Sequence, residues 1–306
     1  MTSYIIRRVL ILIPLLWAIA TVTFFLMHAV PGGPFDQEKT LSASTKAALE
    51  RKYNLDGSVG EQYVSFLRNL GSGDLGLSFR QNRPVTEVIR EGFPTTLQLG
   101  LCAFTFAVVL GLSLGILSAV KQNGPIDYVA VFVATAGAAV PNFVVAVFFV
   151  LFVALELGWF DVIGWEFGNY RQMVLPTVTL GLFPGAFIAR ITRASMLEVL
   201  RQDYIRTARA KGLAEFRVVM GHAVRNAMVP VLTVMGPILA GLITGSFIIE
   251  QYFAIPGIGR DFVEAVQVRD YGIIMGITLL YAFAIAVMNL LVDVSYGFVN
   301  PRISYR

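Results

Sequence analysis

Six long apolar runs without a formal charge constrain the fold of this chain more than any other feature. They cover residues 9–30, 95–120, 128–155, 173–189, 227–249 and 271–292 of the 306 residues. At 1.5 Å per residue, the first run would be about 33 Å long as a helix, enough to cross a hydrocarbon core of about 30 Å. Because lipid cannot hydrogen-bond an exposed backbone, each run is predicted to be helical. The sequence therefore predicts an all-α membrane protein with six transmembrane helices, the fourth continuing to about residue 196.

The composition supports a membrane protein and argues against several other classes. The chain is 56% hydrophobic and 14% charged, whereas soluble domains carry about 25% charged residues. Its net charge of +4 is too small to indicate a nucleic-acid partner. The single cysteine, Cys102, and the two distant histidines, His28 and His222, predict neither a disulfide framework nor a metal site. The first apolar run is also too long for a typical signal peptide, so we predict an uncleaved span.

Lysine and arginine residues set the predicted orientation. With the N-terminus inside, the inside segments hold 13 of these residues, and the two short outside loops hold three. The positive-inside rule therefore places both termini in the cytoplasm. We divide the chain into residues 1–30, with the first span, an extracytoplasmic loop at 31–94, and a core at 95–306 that holds the five other spans and a cytoplasmic loop at 197–226.

The long outer loop is expected to be partly helical. Tyr63, Phe66, Leu67 and Leu70 follow the i, i+3, i+4, i+7 spacing of one helix face. A second helix is predicted at 44–53 with Ser44 as N-cap. These helices either lie on the membrane or the spans, or form a docking surface for an extracytoplasmic partner. Inside the spans, Gly111 with Gly115, and Gly241 with Gly245, predict faces where helices approach closely.

Polar residues within the spans are few. Asn142 and Asn289 are candidates for the substrate path, with packed interhelical hydrogen bonds as the alternative. Asp293 is a poor candidate for the carboxylate of a stand-alone ion-coupled transporter. An intramembrane enzyme would need a paired nucleophile and base, which His28 and Cys102 do not supply. No P-loop is present, so the chain is predicted not to be an enzyme, and any ATP that drives it is hydrolysed by another chain.

A basic segment between the fourth and fifth spans has its own organisation. Residues 201–226 hold six of the 24 Lys and Arg residues. Asp203 is predicted as N-cap of a short helix that ends at Lys211, and Gly212 as its C′ residue. A second helical segment is expected at 214–224. The charge alone would suit a topology signal on anionic lipid, but two helices joined at a glycine favour a mechanical contact with a soluble partner. The expected apolar face consists of Tyr204, Ile205, Ala208 and Leu213.

This segment, "YIRTARAKGL" followed by "HAVRNAMVPVL", resembles the cytoplasmic EAA motif of ABC importer permeases. The stretches "LMHAVPGGPF", "GDLGLSF", "AAVPNF", "AIPGIGRDFVEAVQVRDY" and "NPRISY" resemble the B-type permeases of the dipeptide and oligopeptide branch. The motif departs from its general form, because Arg206, Thr207 and Ala208 replace Glu-Ala-Ala. Val229-Pro230 matches the later Leu-Pro only loosely.

The resemblance implies a type I importer permease fold in a bacterial or archaeal plasma membrane. It implies a second, homologous permease, two cytoplasmic ATPases that bind ATP and Mg, an extracytoplasmic substrate-binding protein and surrounding lipid as partners. The cargo would be a peptide, or, in related branches, an oligosaccharide or a nickel chelate. The implied contact with the ATPases consists of Asp203, Tyr204, Ile205, Arg206, Thr207, Ala208, Arg209, Ala210, Lys211, Gly212 and Leu213.

Overall fold

The computed structural model describes residues 2–30 and 56–299, and the regular elements of those ranges are helices. An isolated antiparallel bridge joins Leu77 to Pro84. Two π-helical segments, Phe149–Glu156 and Val218–Ala223, directly follow the α-helices Asn142–Phe148 and Glu215–Arg217. In chain order the α-helices are α1 (Thr2–Ala29), α2 (Val59–Gly71), α3 (Val85–Val120), α4 (Pro125–Ala139), α5 (Asn142–Phe148), α6 (Tyr170–Leu200), α7 (Asp203–Ala210), α8 (Glu215–Arg217), α9 (Val224–Ile243), α10 (Phe247–Tyr252), α11 (Ile258–Val268) and α12 (Tyr271–Val299).

The described ranges hold five or six membrane-spanning helices, compared with six predicted from the sequence. By length and composition, five helices of the described ranges can cross a membrane: Ile6–Ala29, Val85–Val120, Tyr170–Leu200, Glu215–Ile243 and Tyr271–Leu291. A sixth span results when the bent pair Pro125–Gly137 and Asn142–Glu156 is counted as one. The fold class predicted from the apolar runs is therefore confirmed. The helix predicted at 44–53 lies outside the described residues.

Two of the predicted spans are interrupted. The run at 128–155 was expected to be one helix, but α4 and the helix after it meet at 101°. Pro141 stands between them and has no N–H to continue the ladder of α4. The run at 227–249 was also expected to be continuous. Instead, α9 ends at Ile243, and Gly245 has a φ of +80°, a left-handed conformation that no helix interior accommodates.

The described residues divide into two compact units. One unit lies within Met1–Thr96 and Pro256–Val287, and the other within Leu97–Ile255 and Met288–Arg306. Each unit thus combines segments that are far apart along the chain. The three consecutive segments proposed from the sequence, at 1–30, 31–94 and 95–306, stay a prediction.

In the first unit, α2 lies against the C-terminal half of α1. The hydroxyls of Tyr63 and Thr21 are 2.7 Å apart, and the rings of Phe66 and Phe24 stack at 5.7 Å. Ser58 begins α2 in a capping box with the glutamate three residues later, so the first free N–H groups of the helix are satisfied. The amphipathic face predicted for this helix is therefore confirmed, and it packs on the first span.

Asp270 joins two segments of the same unit. Its side chain is 1% exposed. One carboxylate oxygen accepts a hydrogen bond from the Ser78 hydroxyl at 2.5 Å and another from the Arg80 N–H at 3.1 Å. A Cβ at Gly272 would lie 2.3 Å from the Leu77 carbonyl oxygen. Only glycine therefore lets the start of α12 approach this loop.

In the second unit, α6 packs closely on α3 through small residues. A Cβ at Gly111 would lie 2.6 Å from Cβ of Ile188, and one at Gly115 would lie 2.5 Å from Cβ of Thr192. The close approach predicted for this glycine pair is confirmed. The prediction for Gly241 is wrong, because a Cβ there would meet nothing within 4 Å. Its spacing to Gly245 reflects the end of α9, where a left-handed residue is needed.

Candidate coupling site

The basic segment forms a compact structure at the end of α6, which we call the coupling hairpin (residues 203–226). Its first helix, α7, buries Ile205 completely and leaves Ala208 7% exposed. These residues are three apart and therefore share one face. Full burial of an isoleucine side chain contributes about 1.5–3 kcal/mol, which an isolated helix of this length needs in order to form. The surrounding cluster is formed by Ala119, Met196, Val218, Val219, Ala223 and Ala227.

Gly212 ends α7 as the sequence predicts. Its φ is +76°, in the left-handed region. The Leu213 N–H donates to the Ala208 carbonyl at 3.4 Å, and the Gly212 N–H donates to the Arg209 carbonyl at 2.9 Å. These are the two hydrogen bonds of a Schellman motif, and Leu213 packs into the same cluster as Ala208. The hinge conformation predicted for Gly212 is confirmed.

The start of α7 differs by one residue from the prediction. Gln202 is the N-cap, with φ −71° and ψ 149°, and Asp203 is the first helical residue. The predicted N-cap role of Asp203 is therefore wrong. Its carboxylate instead lies 3.6 Å from the guanidinium of Arg206, in the first turn, where a negative charge suits the helix dipole. Thr207 turns back to the same residue, since its hydroxyl donates to the Asp203 carbonyl at 3.0 Å.

The second half of the coupling hairpin is helical, as predicted, and continues into the fifth span. The short helix α8 passes into the π-helical segment Val218–Ala223 and then directly into α9. Two side-chain contacts close the hairpin. Arg209 makes two hydrogen bonds to Glu215, at 3.1 and 2.7 Å, and these raise the pKa of its guanidinium. Asn226 donates to the Tyr204 hydroxyl at 2.8 Å.

Several large apolar side chains of the hairpin face outward. Phe216 is 78% exposed, Met220 is 46% exposed, and Tyr204 is 41% exposed. The prediction that Tyr204 belongs to the buried face is therefore wrong, because its ring reaches outward to Asn226. Sequence reasoning missed Phe216. The available signal was an aromatic residue between the charged Glu215 and Arg217 in a segment too short to bury both of its faces.

The residues proposed for the ATPase contact thus have different environments. The structure buries Ile205 and Ala208 and half-buries Leu213, and these three hold the helix in place. The exposed members are Asp203, Tyr204, Arg206, Thr207, Arg209, Ala210, Lys211 and Gly212. This exposed set, with the free part of Leu213, is the surface that another chain can contact without unfolding the hairpin.

The two asparagines predicted for the substrate path lie on different helices. Asn142 begins α5 directly after the break at Pro141 and is half-buried. Asn289 lies on α12 and is exposed. Their assignment to a path stays a prediction.

Family comparison covers nearly the whole chain. Residues 111–305 match the model of the binding-protein-dependent transport system inner membrane component, and residues 1–100 match the N-terminal model of the same membrane components. The chain belongs to this family. It is 42% identical to the dipeptide transport system permease protein DppB of Bacillus subtilis, over 99% of this chain and 98% of that protein. It is also 42% identical to the oligopeptide transport system permease protein OppB of Escherichia coli K12, over the full length of both.

Solved structures give the fold. An inward-facing form of the MetNI methionine ABC transporter matches with a TM-score of 0.59 at 18% identity, over 70% of this chain and 96% of that one. An amino acid ABC transporter with histidines matches with a TM-score of 0.54, over 69% and 93% of the two chains. This permease therefore has the type I ABC importer fold, as its motif predicts, and is a multi-pass inner-membrane component.

Proposed function

We propose that this chain is one of two permease subunits of an ATP-driven importer of dipeptides or oligopeptides and forms half of its translocation path. Full-length identity of 42% to DppB and OppB supports peptide as the cargo. The chain is not an enzyme in this assembly. The partner ATPases bind ATP and Mg, a second homologous permease completes the path, and an extracytoplasmic binding protein delivers the peptide. Both termini face the cytoplasm, where the positive-inside rule places the coupling hairpin.

The coupling hairpin carries the proposal. One face is anchored by Ile205 and Ala208 in the end of the bundle, and the other presents Phe216 and Tyr204 among basic side chains. Interface anchors are typically aromatic residues and arginines. A partner that holds this exposed face therefore moves α6 and α9 with it, because no flexible linker separates the hairpin from either helix. Asn142 and Asn289 remain our candidates for the path.

Purification and reconstitution test this function. A tagged chain extracted in mild detergent should bring down two nucleotide-binding chains and a second permease. In liposomes with the binding protein, the complex should import labelled dipeptides or oligopeptides only when ATP is present, and a non-hydrolysable ATP analogue is the matched control. Uptake of an oligosaccharide or a nickel chelate in preference to peptides would overturn the cargo. Transport by the chain alone, driven by an ion gradient without ATP, would overturn the importer.

A further inference from the structure

A partly buried ion pair joins α6 to the start of α4 in the second unit. The guanidinium of Arg193 donates two hydrogen bonds to the Asp127 carboxylate, both at 2.8 Å. The Asp127 side chain is 5% exposed and that of Arg193 is 29% exposed. The same carboxylate accepts hydrogen bonds from the Ser118 hydroxyl at the end of α3 and from the Asn123 N–H at 2.9 Å. One carboxylate thus holds three chain segments, and each of its oxygens accepts two hydrogen bonds.

Other contacts between α4 and α6 include several small residues. They involve Ala134 against Ala186 and Ala189, and Gly137 beside Leu182. Small apolar side chains allow helices to approach closely. A bidentate arginine–carboxylate pair adds a fixed geometry as well as attraction. The ion pair therefore adds a fixed point to the contact of α4 with α6.

The pair also lies close to the coupling hairpin. Arg193 is seven residues before the end of α6, about 10 Å along the helix axis. One turn beyond it, the fully buried Met196 packs in the cluster that contains Ile205 of α7. At its other end, α4 leads to the break before Asn142. Packed and hydrogen-bonded contacts thus link the hairpin to α6 at Met196, and α6 to the broken third span at Arg193.

We propose that Asp127 and Arg193 are positioning residues that transmit movement of the coupling hairpin to the broken third span, so that ATP hydrolysis is coupled to transport. This inference rests on the proposed function. A pair that served only stability would be replaceable by uncharged residues, since removing both buried charges together often costs little. A pair that transmits movement would not be replaceable in this way.

The test compares Asp127→Asn, Arg193→Met and the double variant in the reconstituted complex. Thermal stability, ATPase assembly and the ratio of peptide imported to ATP hydrolysed are measured for each. The double variant should assemble and melt near the wild-type temperature, yet its transport ratio should fall about fivefold or more, the lower range of coupling between linked sites. Arg171→Gln is the control. It breaks the Arg171–Asp161 pair, at 3.1 Å near the start of the same helix, and should leave the ratio unchanged.

Each other outcome overturns the inference. A double variant with the wild-type ratio would make the pair purely stabilising, and so would a loss of transport in step with melting temperature across all variants. A double variant that fails to assemble would make the pair a requirement of the fold. The wild-type complex separates this result from the proposed function. If it imports peptide with ATP, the function stands whatever the variants do, and if it does not, the function itself fails.

Discussion

Replacement of Gly212 offers a quantitative test of the hinge in the coupling hairpin. A Cβ at this position would meet no atom within 4 Å, so a substitution causes no clash within the chain. The φ of +76° is nevertheless unfavourable for other residues. A left-handed conformation costs an L-residue about 1–2 kcal/mol, and a β-branched residue about 3 kcal/mol. Asparagine tolerates it better than alanine, although it is larger. The backbone strain at position 212 is therefore expected to increase from Asn to Ala to Val.

Affinity for the proposed ATPase partner is the appropriate readout, because opening of the hairpin would relieve strain at Gly212 and remove the surface that we propose the ATPase binds. Since 1.4 kcal/mol corresponds to a factor of ten, Gly212→Ala should weaken binding by about 5- to 30-fold, and Gly212→Val by more than about 100-fold. All three variants should remain in the membrane. Binding of detergent-solubilised complexes to labelled ATPase measures the series. An order that follows side-chain size, with Asn worse than Ala, would refute the backbone argument and indicate steric contact with the partner.

Three further predictions concern separate parts of the chain. Phe216→Ala should change the melting temperature little, because the side chain is exposed. The substitution should weaken ATPase binding by about 2 kcal/mol, or about thirtyfold in Kd, because aromatic residues are typical interface anchors. Unchanged binding would show that Phe216 does not contact the ATPase. Gly115→Ala should lower the free energy of unfolding in detergent by about 1–3 kcal/mol, because the new methyl group overpacks the contact of α3 with α6. The control Gly241→Ala has open space at Cβ and should be neutral or stabilising by up to about 1 kcal/mol. Equal effects of the two substitutions would contradict the close packing at Gly115. Burial raises the pKa of the Asp261 carboxyl in α11, so the folded state keeps this proton to higher pH than the unfolded chain, and stability falls as pH rises through the raised pKa. Asp261→Asn should therefore raise the melting temperature at pH 7, and this advantage should disappear below about pH 4, where aspartate is protonated in both states. A gain that does not depend on pH would contradict the raised pKa.

The sequence was sufficient to predict the hinge, because its signals are local. Glycine at the end of a short basic helix predicts a left-handed residue, and Gly212 adopts one. Ile205 and Ala208 are three residues apart and so share one face, although the same reasoning wrongly assigned Tyr204 to it. The spans were predictable for a similar reason, since a bilayer imposes a length and a polarity on each helix separately. Capping was less predictable, because Gln202 and Asp203 can each begin the same helix.

What the sequence did not reveal depends on distant contacts. Asp127 follows a proline near the start of α4, where an acidic residue suits the helix dipole whether or not it has a partner. Its pairing with Arg193 joins positions 66 residues apart, and no local pattern indicates it. The exposure of Phe216 likewise depends on which face of the hairpin the bundle covers. The break at Pro141 was visible as a proline, but the size of the bend was not.

The π-helical segment Val218–Ala223 has a consequence for how such hairpins diversify. A π-helical turn contains one residue more than an α-helical turn, and each residue of an α-helix advances by about 100° around its axis. The extra residue is accommodated within the π-helical turn, so its deletion would restore regular α-helix and leave the hairpin close to its present direction, whereas a deletion inside α9 would swing it by about that angle. Substitutions that keep the length would leave its direction unchanged. The π-helical segment is thus a position where the chain can gain or lose one residue while the hairpin keeps its direction relative to α9.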